Sequence, residues 1–147
     1  MTYRIIQDKD GKITHWVCRG LGYDTAWLDD YLTFGFEYDN RLVGGLIFHD
    51  WRCGQDVWWT VYTVDKHWCN RTMLQKMFAL AFNILKCRRV NLLVSKSNVR
   101  SLDFVRRLGF KTEGLLREYR ENGEDCYFMG MLAKECPWLQ KKGEKHE

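Results

Sequence analysis

The segment "TVDKHWCNRTML", residues 63–74, joins a predicted strand to a predicted helix, and such a junction can bind an anion. The first amide groups of a helix have no partner within the helix and carry the positive end of its dipole. An anion there gains several hydrogen bonds at once. Residues 69–73 could therefore hold a phosphate or pyrophosphate, with charge added by Lys66 and Arg71. The segment has no glycine, which phosphate loops use for close backbone approach, so Arg71 could equally be a solvated residue at a helix start.

Three further groups of side chains could take part in chemistry. His49 and Asp50 stand at the predicted end of a strand, and a free histidine, with a pKa of about 6.5, suits proton removal at neutral pH. A histidine at a strand end can also be purely structural. Cys69 stands at a helix N-terminus, where the pKa of a thiol can be lowered. Asn98 and Ser101 lie at the start of a second predicted helix, where they could form no more than a cap.

Composition favours one intracellular domain. The 147 residues are long enough for a substantial core, and 46% hydrophobic with 29% charged residues argues against wholesale disorder. The net charge of +4 permits an anionic partner without requiring one. The six cysteines form no Cys-x-x-Cys pair and the four histidines show no metal-ligand spacing, which favours reduced thiols, no metal and a cytoplasmic location. No apolar run reaches the roughly 18 residues of a membrane span, and the N-terminus lacks a signal peptide's apolar core.

The pattern of elements predicts a mixed α/β domain over residues 1–139, followed by a polar, mobile tail at 140–147. The middle of the chain is the clearest part. A strand at 57–64 is followed by a long helix that begins at Asn70, and a second strand occupies 90–95. Strand, helix and strand in this order form a βαβ unit, whose strands should run parallel with a right-handed crossover.

The flanking elements are less distinct. The stretch "ITHWVCRGLG", residues 13–22, could be helix or strand. Gly44 and Gly45 predict a bulge or a close backbone approach, and Asn122-Gly123 is a hairpin-turn signal. The other predicted elements are strands at 3–6, 31–38, 41–51, 111–119 and 126–132 and a helix at 98–110.

The second helix carries a family pattern. The residues Asn98-x-x-Ser101-x-x-Phe104-x-x-x-Leu108-Gly109-Phe110, with Glu113-Gly114 and Arg117-Glu118 after them, resemble the C-terminal part of GNAT superfamily acyltransferases. The likeness runs from about residue 57 to 139, and the branch that acetylates ribosomal-protein N-termini is the most similar. It implies a GNAT-like α/β fold in which a central parallel pair of strands splays apart, with flanking helices and a C-terminal hairpin.

The resemblance also implies acetyl-CoA as co-substrate. Its pantetheine arm would enter the gap beside the first parallel strand, lined by Tyr62, Thr63 and Val64. Its pyrophosphate would rest on the next helix N-terminus, where the family usually has a Gln/Arg-x-x-Gly-x-Gly/Ala loop whose glycines are missing here. The residues expected to meet it are Trp68, Cys69, Asn70, Arg71, Thr72 and Met73.

Catalytic roles follow from the same resemblance. Many members protonate the departing thiolate with a tyrosine, and that position is Phe104 here. The ribosomal-protein branch implies instead that Ser101 donates a hydrogen bond to the CoA sulfur while Asn98 orients the cofactor. The family carboxylate that could act as general base, late in the final hairpin, would fall near Arg120 in this sequence. The candidates for the base are therefore Glu118, Glu121 and the pair His49 and Asp50.

Two functions are open at the level of sequence. The first is an N-acetyltransferase in which a primary amine attacks acetyl-CoA directly in a ternary complex. Its acceptor could be a protein N-terminus, a lysine, an aminoglycoside, a polyamine or an amino group on a modified nucleotide. The second is a GNAT-like binding module for protein or nucleic acid that has lost acetyl-CoA use, as the missing glycines and Phe104 suggest. Interspersed acidic residues weaken the nucleic-acid reading, and either protein is expected to be a monomer or homodimer without a membrane partner.

Overall fold

The computed structural model describes residues 2–139, and the tail predicted at 140–147 lies outside them. The strands are β1 (Tyr3–Gln7), β2 (Tyr31–Tyr38), β3 (Arg41–Arg52), β4 (Asp56–Thr63), β5 (Arg89–Ser95), β6 (Lys111–Leu116) and β7 (Cys126–Leu132). The α-helices are α1 (Lys12–Leu21), α2 (Arg71–Ala79) and α3 (Val99–Leu108). The strands form one mixed sheet in the order β1-β2-β3-β4-β5-β7-β6. The mixed α/β class predicted from the sequence is confirmed.

The ambiguous stretch near the N-terminus is helix α1. Its Val17 and Cys18 are buried against Ile47 of β3, so the helix covers one face of the sheet. Gly22 ends the helix with a left-handed φ of 77° and donates its N–H to the carbonyl of Arg19. The opposite face of the sheet carries α2, α3 and the larger hydrophobic core.

The two glycines of β3 are sites of close packing, as predicted. Residue 43 is the extra residue of a bulge opposite β2, because Phe36 pairs with Gly44 while the next residue pairs with Leu42. A Cβ on Gly44 would lie 3.0 Å from the indole of Trp68. A side chain on Gly45 would collide with Val17 of α1.

The α2 helix begins as predicted but ends differently. Asn70 is its cap and accepts a 2.9 Å hydrogen bond from the N–H of Met73. After Ala79 the chain continues as a π-helical stretch, Leu80–Ile84, which is wider than an α-helix. The wider turn shifts the helical phase, so Ile84 is 68% exposed, although its spacing from Met77 and Ala81 predicts a place on the apolar face of the helix.

The second helix and the last hairpin carry two further corrections. Val99 is 61% exposed at the first helical position, although its spacing from Leu102 and Val105 predicts a place in the apolar stripe of α3. The strand β6 ends at Leu116 and not at residue 119, so the connection to β7 is longer than a tight hairpin. Its tip is a turn in which the N–H of Gly123 donates to the carbonyl of Arg120, at 2.8 Å.

A buried polar network fastens one end of the parallel pair. Asp56 of β4 is 6% exposed and accepts hydrogen bonds from Arg52 Nε at 2.7 Å and from Asn91 Nδ2 of β5 at 2.8 Å. Arg89 of β5 donates from Nε to the Asn91 side-chain oxygen at 2.5 Å. Both strands are therefore joined by side chains as well as by backbone at the end where Asp56 pairs with Arg89.

Replacing Asp56 with alanine should lower the free energy of unfolding at pH 7 by about 1–3 kcal/mol, because the buried Asn91 amide loses its acceptor. The hydrogen bond from Arg52 is the main cause that holds the pKa of Asp56 below its ordinary value. The carboxylate's contribution is thus complete above about pH 4 and is lost as the pH falls through the folded-state pKa. Urea unfolding at pH 7 and pH 3 should show the difference between wild type and variant shrinking in acid.

The matched control is Asp103→Ala. The Asp103 side chain is exposed on α3 and makes no hydrogen bond or ion pair within residues 2–139, so its removal should change stability by less than about 0.5 kcal/mol. If Asp56→Ala is no more damaging than this control, the network does not fasten the strand pair.

Candidate active site

The parallel strands β4 and β5 separate along half of their length. Their pairing stops after Trp59 and Leu92, although β4 continues to Thr63 and β5 to Ser95. The outer edges of both strands stay paired, to β3 and to β7 respectively. The inner backbone groups beyond the last pair therefore face an opening, and backbone N–H and C=O groups require a partner when buried. The splayed pair that the family resemblance implied is present.

A cleft of about 1690 Å³ lies at this opening and is called the cleft below. Its walls come from the loop after α1, the end of β3, the splayed strands, the start of α3 and the connection between β6 and β7. Among the predicted site residues, those that line it are His49, Asp50, Tyr62, Thr63, Lys66, Trp68, Asn98, Ser101, Phe104 and Glu121.

A hydrogen-bonded chain of three side chains stands in the cleft. His49, at 8% exposure, lies with Nδ1 2.7 Å from Asp50 Oδ2 and with Nε2 2.8 Å from Thr60 Oγ1. Trp27 packs edge-on against the imidazole, with ring centroids 4.8 Å apart. His49 faces Trp58 in the β3–β4 register, so Thr60 is its diagonal neighbour on the same face of the sheet.

Burial decides the charge of His49. It lowers the pKa of the imidazole below the ordinary value of 6.5, because the charged form loses hydration. The hydrogen bond and the charge of Asp50 act in the opposite direction. The net direction is downward, so His49 is neutral at pH 7 and able to accept a proton.

The start of α3 faces the same cleft. Asn98 caps the helix by accepting a 3.3 Å hydrogen bond from the N–H of Ser101. Because this bond uses only the backbone of Ser101, its hydroxyl is left for another partner. Phe104, one turn further on, packs edge-on against Trp68 at 5.2 Å between centroids.

The loop before α2 reaches the cleft through Lys66 and Trp68. Within residues 2–139, the first amides of that helix, at Arg71 and Thr72, have no hydrogen-bond acceptor, whereas Met73 donates to the Asn70 cap. These free amides fit a pyrophosphate. Trp68 anchors the loop: it is 4% exposed and packs against Phe36 at 5.0 Å between centroids.

Several residues predicted to bind the cofactor lie outside the cleft lining. Met73 is 4% exposed and packs in the core, so only its backbone can face a ligand. Val64 donates its N–H to the Val43 carbonyl at 3.0 Å, and the Arg71 guanidinium lies 5.2 Å from the Trp138 ring. The remaining predicted residues outside the lining are Cys69, Asn70 and Thr72. Their contact with a cofactor stays a prediction.

The position of Cys69 at the start of α2 does not lower the pKa of its thiol. Burial raises the pKa of Cys69 to about 12, because an apolar environment disfavours the thiolate. The helix dipole is outweighed, and Cys69 is a neutral thiol at physiological pH. Within the described residues all six cysteines are free.

Glu118 is exposed and does not line the cleft, although Arg120 and Glu121 do. Its N–H donates to Asp125 at 2.8 Å, which holds the connection after β6. Arg120 instead reaches inward, donating from Nε to Ser95 Oγ at 2.9 Å and lying 5.0 Å from the Tyr23 ring.

The sequence reasoning missed Tyr23, Trp27 and Thr60, which all line the cleft. Tyr23 and Trp27 lie in a segment without regular structure, where no periodicity marks the inward side chains. The position of Thr60 could not be found by pairing the strands predicted at 41–51 and 57–64 across their short connection, because that pairing puts residue 49 opposite residue 59. The register shift between His49 and Arg52 instead puts His49 opposite Trp58 and makes Thr60 its diagonal neighbour.

Residues 2–139 contain no group of three or more His, Cys, Asp or Glu side chains placed to hold a metal ion. Across that same range, every helix is too short or too polar to cross a membrane.

A mixed sheet with an opened parallel pair beside a helix N-terminus is the architecture of acyltransferases that use a CoA thioester. The chain belongs to the acetyltransferase (GNAT) family, whose model matches residues 6–110, well over half of its length. It is an N-acetyltransferase by this membership, and acetyl-CoA is the family's acetyl donor.

Solved structures agree in fold. Spermidine N-acetyltransferase from Vibrio cholerae, in complex with CoA and spermine, gives a TM-score of 0.69 at 15% identity, covering 90% of this chain and 96% of that chain. A dodecameric structure of the same enzyme in an intermediate state gives a TM-score of 0.69 at 16% identity, covering 90% of this chain and 94% of that chain. At these identities the likeness shows the fold alone. No curated protein matches the chain, and the comparisons do not support the narrower resemblance to the ribosomal-protein branch.

Proposed function

We propose that the protein transfers the acetyl group of acetyl-CoA to a small primary amine by direct attack in a ternary complex. The observation that carries this proposal is the pair of unpaired inner edges beyond Trp59 and Leu92, which open onto the cleft. The amides of a pantetheine arm are hydrogen-bonding partners of the kind that such edges need. The free amides at Arg71 and Thr72 would hold the pyrophosphate at the far end of the arm.

The chemistry divides between two sides of the opening. His49, neutral and lining the cleft, would remove the proton of the attacking amine. Ser101, whose hydroxyl is not used by the helix cap, would donate a hydrogen bond to the departing sulfur. Phe104 has no proton to give, and its edge-on contact with Trp68 instead closes the apolar side of the cleft.

Aromatic side chains favour a small organic amine as the acceptor. Trp27 and Trp51 line the cleft and are 42% and 52% exposed, an unusual state for such large apolar rings. Tyr119 lines the cleft as well and is 52% exposed. Rings of this kind bind flat groups by stacking and cations through their faces. The structurally similar spermidine enzymes bind an amine, and polyamines therefore belong in the first acceptor panel.

Acetyl-CoA should raise the melting temperature of the protein. A ligand at roughly 100 times its dissociation constant adds about 2.7 kcal/mol to stability, which corresponds to a shift of about 5–10 °C for a chain of this size. Thermal denaturation in millimolar acetyl-CoA measures the effect. ATP is the matched control, because it carries adenine and phosphates without a pantetheine arm, and it should give a much smaller shift.

Acetylation is then measured by mass spectrometry with a panel of spermidine, spermine, 2-phenylethylamine, tyramine, kanamycin and a peptide with a free N-terminus. Binding of acetyl-CoA together with an acetylated small amine supports the proposal. Absence of a thermal shift at millimolar acetyl-CoA would contradict it and favour a GNAT-like binding module. Acetylation of the peptide alone would contradict the choice of a small amine.

A further inference from the structure

The chain of Asp50, His49 and Thr60 has a fixed direction of hydrogen bonding. A carboxylate can only accept, so His49 Nδ1 must carry the proton that bonds to Asp50 Oδ2 at 2.7 Å. The neutral ring then presents a lone pair at Nε2. Thr60 therefore donates its hydroxyl proton to Nε2 across 2.8 Å. The direction of both hydrogen bonds among Asp50, His49 and Thr60 is therefore fixed before any substrate binds.

The position of Thr60 places these three hydrogen-bonded side chains at the expected site of the reaction. It is the first residue of β4 after the last parallel pair, Trp59 with Leu92, so it stands at the apex of the opening. An arm that runs inward along β4 from the α2 N-terminus would end beside it. Thr60 also lines the cleft together with Trp27, on the aromatic side proposed for the acceptor.

The same geometry closes the direct route to His49. The imidazole is 8% exposed, its Nδ1 faces Asp50, its Nε2 faces Thr60, and Trp27 packs against the ring. A proton that passes from an incoming amine to Nε2 would therefore travel through the Thr60 hydroxyl that is bonded to it. Asp50 is the charged group that acts on the imidazole; Trp27 and Thr60, which approach from the other elements, are uncharged.

We propose that Thr60 is a catalytic proton relay between the acceptor amine and His49, with Asp50 as a positioning residue. This inference rests on the proposed acetyl transfer and assigns Thr60 and Asp50 roles in it.

The steps balance in atoms and charge. As the amine nitrogen forms a bond to the thioester carbon, its N–H proton passes to Thr60 Oγ1, and the Thr60 hydroxyl proton passes to His49 Nε2. The resulting imidazolium is stabilised by the Asp50 carboxylate. The C–S bond breaks, and the CoA thiolate takes a proton from solvent while the Ser101 hydroxyl donates a hydrogen bond to the sulfur. His49 returns the amine's proton to solvent, so no proton is gained or lost overall. No covalent acyl-enzyme is formed.

Thr60→Val tests the relay, because valine keeps the β-branched shape and removes only the hydroxyl. We expect kcat to fall at least about 100-fold with the panel amine that the wild type turns over fastest, while acetyl-CoA gives the wild-type thermal shift. Thr60→Ser restores a hydroxyl and should recover most of the rate. The double variant Thr60→Val/His49→Gln should be little slower than either single one, because residues that act in series are not additive.

Asp50→Asn tests the positioning role. Asp50 has a left-handed φ of 50°, which asparagine tolerates, so the fold should be kept. Loss of the carboxylate removes the influence that raises the pKa of His49, so the acidic limb of the kcat–pH profile should move to lower pH. A merely structural residue would leave the midpoint of that limb in place.

The tautomer of His49 can be measured directly, without any acceptor amine. Long-range ¹H–¹⁵N correlation spectra of ¹⁵N-histidine-labelled protein, assigned with His49→Gln, should show His49 as the neutral Nδ1–H tautomer at pH 7. An Nε2–H tautomer, or a rate in Thr60→Val within about threefold of the wild type, would overturn the relay. An acetyl group on Thr60 in quenched reactions would also overturn it in favour of a covalent route. Failure of acetyl-CoA to bind the wild type would instead reject the proposed function, which the thermal shift detects separately.

Discussion

Replacing His49 with glutamine should slow acetyl transfer by at least about 100-fold, the range expected for loss of a general base. Glutamine is close in size and can still hydrogen-bond, but it cannot accept a proton at neutral pH. Because burial lowers the pKa of His49 below 6.5, the wild-type rate should stay high down to a pH below that value and fall only in more acid solution. The variant should lose this limb of the kcat–pH profile, which steady-state kinetics with saturating amine between pH 5 and 8 can record.

His15→Gln is the matched control for this experiment. His15 is exposed on α1 and does not line the cleft, so its replacement should leave both the rate and the pH profile unchanged. Acetyl-CoA should still stabilise His49→Gln by the wild-type amount, since the prediction concerns proton transfer and not cofactor binding. A variant with wild-type turnover and an unchanged acidic limb would remove His49 from the mechanism.

The elements around the opening were predictable because their signals are local. Asn70 caps α2 and Asn98 caps α3 through hydrogen bonds within four residues, and such caps are read directly from the chain. Gly109 ends α3 with a φ of 117°, where glycine has no steric penalty. The βαβ order then required parallel strands, which the register of β4 with β5 confirms.

The site itself depended on contacts that local rules do not reach. The hydrogen bond from Thr60 to His49 requires the register of two strands, and a register shift lies between His49 and the end of β3. The contact between Arg71 and Trp138 links the start of α2 to the end of the described chain, and helix periodicity contains no information about it. The raised pKa of Cys69 follows from burial, which the sequence position at a helix N-terminus did not reveal.

The loop before α2, which lacks the glycines of the family pattern, is anchored by Trp68. Gly44 of β3 leaves space for the indole, with 3.0 Å between a Cβ placed there and the ring. Phe36 and Phe104 pack edge-on against the same ring, at 5.0 and 5.2 Å between centroids. The loop before α2 is therefore held in place by a large buried side chain from within, where the usual family pattern relies on glycines.

Trp68→Ala should consequently be the most destabilising single substitution proposed for this chain. Truncation of a buried tryptophan typically costs about 3–5 kcal/mol, the sum of lost transfer free energy and a residual cavity. The melting temperature should fall by roughly 6–20 °C. Affinity for acetyl-CoA should fall as well, because the free amides at Arg71 and Thr72 would lose the anchor that orients them. Thermal denaturation with and without acetyl-CoA measures both effects.

Trp51→Ala provides the comparison, because Trp51 is the same residue type but is 52% exposed at the rim of the cleft. Its loss should change stability by less than about 1 kcal/mol and leave the acetyl-CoA-induced shift intact. Trp68→Phe keeps an aromatic ring in the space beside Gly44 and should recover much of the stability and of the ligand response. If Trp68→Ala melts lower but responds to acetyl-CoA as the wild type does, the indole serves the core alone, and the loop before α2 does not depend on it to hold the pyrophosphate.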